Sequence, residues 1–368
     1  MIERESSSFY KSNNMKQPIL IQHGILDSSD GFLCNKEEKC LPLFLANKGY
    51  DVWLGNNRGN YYSEEHLFYD YNKNSKDYYN FSFDEIGRYD IPSMISKIQE
   101  VRKNNNKLIL ICHSQGATSS IAGMSLMNDY YKDNIKLLIA LAPVCRFSGL
   151  SSWFLRLLNY VNLEFFFIIF RKNSLFHRSD LLSYFSEKHL NNFNYKNQST
   201  DEKTMKINSI FSRLRRFIYK KTRIDLTSFI TSYLLDGNSQ EINDSLSLNK
   251  LLAHVPSGSS LKSYVHYRKN RKFNKFCRFD YGVNRNLLYY GKETPPDYEL
   301  ECITVPCVVI YGAEDKLVND KDIEYIRKRM KNSIKDVRKY KNMGHISFQV
   351  GKEVKWLDDI LLYIKENE

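Results

Sequence analysis

Short apolar runs bounded by turn residues alternate with longer stretches in which apolar residues recur every three or four positions. Residues 17–22 (QPILIQ), 50–54 (YDVWL), 107–112 (KLILIC), 136–142 (KLLIALA) and 305–311 (VPCVVIY) have the length and β-branched content of buried strands. Between them, residues 84–104, 115–128, 321–331 and 352–366 carry the spacing of helices with one buried face. This alternation predicts an α/β fold, a mainly parallel sheet flanked by helices on both faces. In such sheets ligands bind beyond the carboxyl ends of the strands, so the residues just after each strand are the place to look for chemistry.

The regularity stops at about Leu150 and resumes at about Cys302. The expected division is a short tail over 1–16, a first part of the core over 17–150, a helical insertion over 151–301 and a second core part over 302–368. Charge sharpens that division. The chain has a formal charge of +12, and residues 151–300 hold 24 Lys/Arg against 13 Asp/Glu while the remainder is almost neutral. The insertion therefore reads as a basic cap, and any anionic surface the protein meets is expected to meet it there. Hydrophobic residues at 42% and aromatics at 14% are ample for a packed core and exclude a disordered chain.

Inside the insertion, residues 153–170 (WFLRLLNYVNLEFFFIIF) are nearly apolar but interrupted by Arg156, Asn159, Asn162 and Glu164, which make a narrow polar stripe rather than a membrane span. Residues 205–223 place Ile207, Ile210, Phe211, Leu214, Phe217 and Ile218 on one face, with the basic residues largely elsewhere, as suits a helix lying on an anionic monolayer. The alternative for both is burial against the protein's own body. The stretch YRKNRKFNKFCR, residues 267–278, interleaves bases and aromatics in a way that could track a nucleic acid. It lacks a recognised binding fold, so it is read as a solvated basic face and no nucleic-acid partner is expected.

Seven scattered cysteines form no C-x-x-C pair and no metal spacing, which argues against a zinc site and for mostly reduced thiols. The first residues, MIERESSSFYKSNNMK, have charge but no apolar segment, so no signal peptide is read there. Together these favour an intracellular protein associated with a membrane or lipid droplet.

The stretch LILICHSQGATSS, residues 108–120, carries the chemistry. An apolar run drops into His113-Ser114-Gln115-Gly116 and then into small residues, the writing of a strand, a tight turn and a helix with a serine at its apex. The usual elbow pattern is Gly-x-Ser-x-Gly, and Cys112 stands where the first glycine belongs. The plainer reading makes Ser114 only a helix N-cap. The other residues favour a nucleophile. Strand 305–311 runs into Gly312-Ala-Glu-Asp315, and Gly344-His345 lies in a loop before the last helix, giving the order Ser, Asp, His found in α/β-hydrolases. His345 would act as general base and Asp315 would hold its tautomer, with Glu314 and Asp320 the nearby acids that could take that place. Strand 17–22 ends at His23-Gly24, where the amide of Ile25, with that of Gln115, could receive the oxyanion of a tetrahedral intermediate. His23 itself is read as structural.

With these residues in view, the chain resembles the acid lipases, the α/β-hydrolases that include gastric, lysosomal acid and yeast steryl-ester lipases. The likeness rests on QHGILDSSDGF, ANKGYDVWLGNNRGNYYSEEH, FSFDEIGRYDIP, CHSQG, HVPSGSSLKSYVHY with FDYG and PPDYEL, VPCVVIYGAEDKLVNDKDI and NMGHISF, in order over about residues 17–366. The resemblance implies a triad of Ser114, Asp315 and His345, oxyanion donors at Ile25 and Gln115, and hydrolysis of triacylglycerol or steryl esters without metal or organic cofactor. It also implies a lid over the serine and a lipid surface as partner. The family carries antiparallel β-structure before the oxyanion strand, whereas 16 residues precede Gln17 here, so those strands are read as missing or as lying upstream. The rival readings are a catalytically weak or inactive lipid-binding member of the fold, favoured by Cys112, and a soluble esterase or thioesterase.

Overall fold

A computed structural model describes residues 16–148, 174–175, 235–237 and 239–368. The apolar runs form β1 (Pro18–Gln22), β2 (Asp51–Gly55), β3 (Leu108–His113), β4 (Ile135–Leu141) and β5 (Cys307–Gly312), within two residues of their expected ranges. They join a sixth strand, β6 (Ile334–Tyr340), in one sheet of order β2-β1-β3-β4-β5-β6. Every neighbouring pair is parallel. Strands β1, β3 and β5 are buried along their whole length, which is why they read as unbroken apolar runs.

The sixth strand was not expected. Its sequence, IKDVRKY, has charged residues between apolar ones, and it lies at the edge of the sheet with half of its side chains toward water. Charge on an edge strand discourages pairing with another chain, and it also hides the strand from a search for apolar runs.

Helices cover the sheet. Helix α1 (Leu41–Asn47) turns its Leu41 and Leu45 inward. The helix expected over 84–104 begins with a capping box at Ser82 and Glu85, widens so that the Ile91 N–H bonds the Ile86 carbonyl, and continues as α2 (Ile91–Arg102). Pro92 in the first turn of α2 has no N–H to return to the preceding ladder, which accounts for the change of pitch there. Helix α3 (Gln115–Leu126) follows β3 directly and is buried on almost every face. Its small residues, from Gly116 to Gly123, let it lie against the sheet.

Of the insertion, the described part includes α4 (Ser245–His254), α5 (Leu261–Phe273) and α6 (Val283–Tyr290). Helix α4 packs Leu248 and Leu251 against Cys34, Ile346 and Val350. Helix α5 is tied to the body through His266, which stacks on Phe83 at 3.8 Å, and through the Lys262–Glu85 ion pair at 2.9 Å. Tyr267 and Phe276 of the basic stretch 267–278 are therefore buried in the core, not free to stack on bases. The amphipathic stretches 153–170 and 205–223 lie outside the described residues. Helices α7 (Asp320–Arg329) and α8 (Lys355–Lys365) complete the cover.

Because all six strands run the same way, the segments leaving β1, β3, β5 and β6 emerge at one end of the sheet. Gly24, Ser114, Asp315 and His345 all stand at that end.

Candidate active site

Ser114 is the pivot between β3 and α3. Its backbone is held at φ 52°, ψ −117°, a region that costs a residue with a Cβ about 1–3 kcal/mol. Two features keep it there. The Ser114 N–H bonds the Leu141 carbonyl at 2.9 Å, tying the turn to β4. Behind the serine, an ideal Cβ at Gly116 would stand 2.7 Å from the His23 carbonyl oxygen and 2.9 Å from that of Gln22, so only glycine allows the helix this close to β1.

The departure at Cys112 is accommodated by its neighbours. The residue is fully buried between Gln22 and Ala140 of the adjoining strands. Its Sγ lies 3.1 Å from the Ser120 Oγ, which itself donates to the Gly116 carbonyl at 2.8 Å. A small side chain on α3 leaves room for the thiol, and burial pushes that thiol up to about 12.

The serine hydroxyl donates to His345 Nε2 at 2.8 Å, and His345 Nδ1–H donates to Asp315 Oδ2 at 2.8 Å. All three residues are buried. Asp315 is fixed in turn, since its Oδ1 accepts the amides of Leu317 (2.7 Å) and Val318 (2.9 Å). Of the three acids considered for this place, Asp315 alone reaches the histidine. Glu314 is half-buried beside Gly237, and Asp320 faces outward, bonded to Tyr311 and Lys339. Burial pulls the His345 pKa down, but the adjacent Asp315 charge and hydrogen bond outweigh it and hold the value above the ordinary 6.5.

Gly24 marks the other side of the serine: an ideal Cβ there would lie 3.0 Å from Ser114 Cβ and 3.5 Å from its Oγ. The two amides expected to receive an oxyanion belong to the residues that follow, Ile25 after Gly24 and Gln115 after Ser114. Gln115 opens α3, where a helix leaves its first amides without an internal acceptor. His23 is a structural residue of this loop. Its Nδ1–H donates to the Gly24 carbonyl, its Nε2 accepts from the Asn57 amide and the Asn60 side chain, and burial pushes its pKa down to about 4.

Several residues of the site escaped the sequence reading. His113 Nε2–H donates to the His345 carbonyl at 2.8 Å, and burial pushes its pKa down to about 3, so this second histidine is a neutral prop. Asp27, in the oxyanion loop, accepts from Gln349 in the turn after His345, linking the two loops. Its buried carboxyl is pushed up to about 7. Asp236 and Asn243, from the end of the insertion, reach the histidine loop. Spacing gives no sign of them, because each touches residues about a hundred or more positions away.

Residues 17–167 match the family model described as alpha/beta hydrolase fold. The gastric triacylglycerol lipase of Bos taurus is 30% identical over 331 residues, which span 90% of this chain and 75% of that protein. Lipase member K of Homo sapiens is 27% identical over 354 residues, 95% of this chain and 80% of that one. A solved structure of a soluble variant of monoglyceride lipase from Saccharomyces cerevisiae superposes with a TM-score of 0.53 at 11% identity, covering 97% of this chain and 89% of the other. At that identity it speaks for the fold alone. A parallel sheet with a strained serine turn, an α/β-hydrolase match and a gastric lipase relative aligned over most of both chains converge, and the chain belongs to the acid lipase family of α/β-hydrolases.

Proposed function

We propose that this serine ester hydrolase cleaves neutral-lipid esters, triacylglycerol or steryl ester, with Ser114 as nucleophile, His345 as general base and Asp315 as its partner. The observation that carries the assignment is the chain of two 2.8 Å hydrogen bonds from Ser114 Oγ through the His345 ring to Asp315. In the first half-reaction Ser114 Oγ attacks the ester carbonyl carbon while its proton passes to His345 Nε2. The amides of Ile25 and Gln115 receive the negative charge that gathers on the carbonyl oxygen. Asp315 stabilises the imidazolium. The tetrahedral intermediate then expels the alcohol, which takes the proton from His345 and leaves an acyl group on Ser114. In the second half-reaction a water gives its proton to His345 and attacks the acyl carbon, and collapse releases the carboxylic acid and restores the serine.

We further assign residues 151–301 as a cap over a body made of 17–150 and 302–368. In support, α4 and the segment just before it already lie on the loops that carry Asp315 and His345. The surplus of positive charge in this insertion supports contact with an anionic lipid surface, intracellular if the free, mostly buried thiols are the guide. Among the described residues no helix is long and apolar enough to cross a membrane.

The test is labelling by a fluorophosphonate with detergent present, for wild type, Ser114→Ala and His345→Ala, followed by rates on triolein, cholesteryl oleate and a short-chain ester. Labelling confined to wild type, with a rate loss of about 10⁴-fold or more in both variants, is the expected result. Folded wild type that resists labelling sinks the enzymatic assignment. Preference for the short soluble ester sinks the lipid substrate alone.

A further inference from the structure

Asp236 is the feature of the site that the mechanism above does not use. It comes from the end of the insertion and is completely buried. Residues 235–237 and 242–244 lie as a strap across both loops that carry the acid and the histidine. Asp236 bridges to Asp315 in antiparallel fashion, with the Gly237 N–H on the Glu314 carbonyl (2.7 Å) and the Lys316 N–H on the Leu235 carbonyl (2.9 Å). Further along, Asn243 bridges to Gly351, and the Asp244 N–H bonds the Val350 carbonyl at 2.8 Å.

The side chains of the strap grip the histidine from both flanks. Asp236 Oδ1 accepts the Ile346 N–H at 3.2 Å, and Oδ2 accepts Asn243 Nδ2–H at 2.6 Å. Asn243 Oδ1 accepts the Ser347 hydroxyl at 2.8 Å, and the Ser347 Oγ accepts the Gly344 N–H at 2.8 Å. The amides on either side of His345 are thus both fixed by one network. The carboxyl lies so close that an ideal Cβ on Gly344 would fall 2.3 Å from Asp236 Cγ.

We propose that Asp236 is a positioning residue for His345: it fixes the loop through the Ile346 amide and places a second carboxylate where the imidazolium forms. This rests on the triad assignment made above. Two carboxylates then bear on one ring, Asp315 through a direct hydrogen bond and Asp236 from beside the backbone. The titratable groups facing the pair are Asp315 and Glu314 from the turn after β5, His113 from the end of β3, and His345 itself. Burial, countered by the Asn243 hydrogen bond and aided by Asp315, pushes the Asp236 carboxyl up to about 6, and its charge adds to that of Asp315 in raising His345. Above that pH, Asp236 favours the protonated ring; below it, the support fades.

The test is Asp236→Asn, which keeps an oxygen for the Ile346 amide and removes the charge, set beside Asp236→Ala. Rates on a short-chain ester are divided by the fraction of serine that a fluorophosphonate titrates, which scores only folded, nucleophilic enzyme. The expected result is an acid limb of kcat/KM displaced to lower pH by about half a unit or more in Asp236→Asn, with a kcat per titrated site lowered further in Asp236→Ala. An unchanged acid limb and unchanged kcat per site in Asp236→Asn overturn the proposal. If neither variant folds, the ring resonances of His345 in wild type decide: a step near pH 6 besides the ring's own titration supports it, and a single step overturns it. Loss of titratable serine in properly folded wild type would instead strike the triad assignment, so the two failures are distinct.

Discussion

The serine and the histidine sit 2.8 Å apart, yet the chain holds them by different means. Ser114 is fixed by backbone. A buried strand, a strained φ, an amide bonded to β4 and a glycine pressed on β1 all lie within a few residues of it. His345 is fixed by side chains and carbonyl contacts gathered from far along the sequence: Asp315, the His113 ring, Ser347, Asn243 and Asp236. A backbone device is stiff and cannot be loosened without disturbing the sheet. A side-chain network can be tuned one bond at a time. The nucleophile side should therefore fail through stability and the histidine side through rate.

The largest break in that comparison is expected from Asp315→Asn. Replacing the carboxylate leaves the histidine in place but removes the acceptor that sets its tautomer, and kcat should fall by about 10⁴-fold with little change in the urea midpoint. A loss of stability as large as the loss of rate would contradict the division. The same pair sets the pH behaviour of wild type. His345 works as a base only when neutral, and its pKa lies above 6.5, so kcat/KM should rise with pH through a midpoint above that value. Stability runs the other way: a group whose folded pKa is raised contributes fully below its unfolded value and loses that contribution as pH climbs through the folded one. Rate and thermal midpoint measured over the same buffers should move in opposite directions across this window.

A smaller effect, on the other side of the comparison, is expected from Gly116→Ala. The added methyl meets the His23 carbonyl oxygen at 2.7 Å, and either α3 or β1 must move. The cost should be about 1–3 kcal/mol in unfolding free energy, with the rate per titrated serine reduced less than by Asp315→Asn.

Smallest of all is Cys112→Ala, which removes a thiol held against Ser120. The expected loss is about 1 kcal/mol of stability from the small void, with kcat per folded enzyme within about twofold of wild type, since no reacting atom touches the thiol. A large change in kcat would mean that the cysteine shapes the serine turn itself.

The same contrast explains what the sequence made legible. Local devices leave local signatures. The five apolar strands, the turn at Ser114, the acid after β5 and the histidine before α8 could each be read from adjacent residues. The edge strand β6 could not, because half-exposed alternation with Lys335, Arg338 and Lys339 resembles a solvated loop. Within 84–104 the three-four spacing of apolar residues shows a helix but not the change of pitch before Pro92, which depends on which backbone N–H finds which carbonyl. Asp236, Asn243 and His113 were missed for a different reason: their roles are defined only by contacts that folding creates.

The distribution of thiols has a practical consequence. Six of the seven cysteines are buried, and only Cys302 is half-exposed. It precedes β5, so it lies at the pole opposite Ser114, with its Sγ directed to the Glu299 and Ser125 carbonyls. A maleimide dye should therefore attach at one place, remote from the reaction. Among the cysteines of this chain, Cys302 is thus the anchoring point for immobilisation or fluorescence work in which the serine end stays open to an oil droplet.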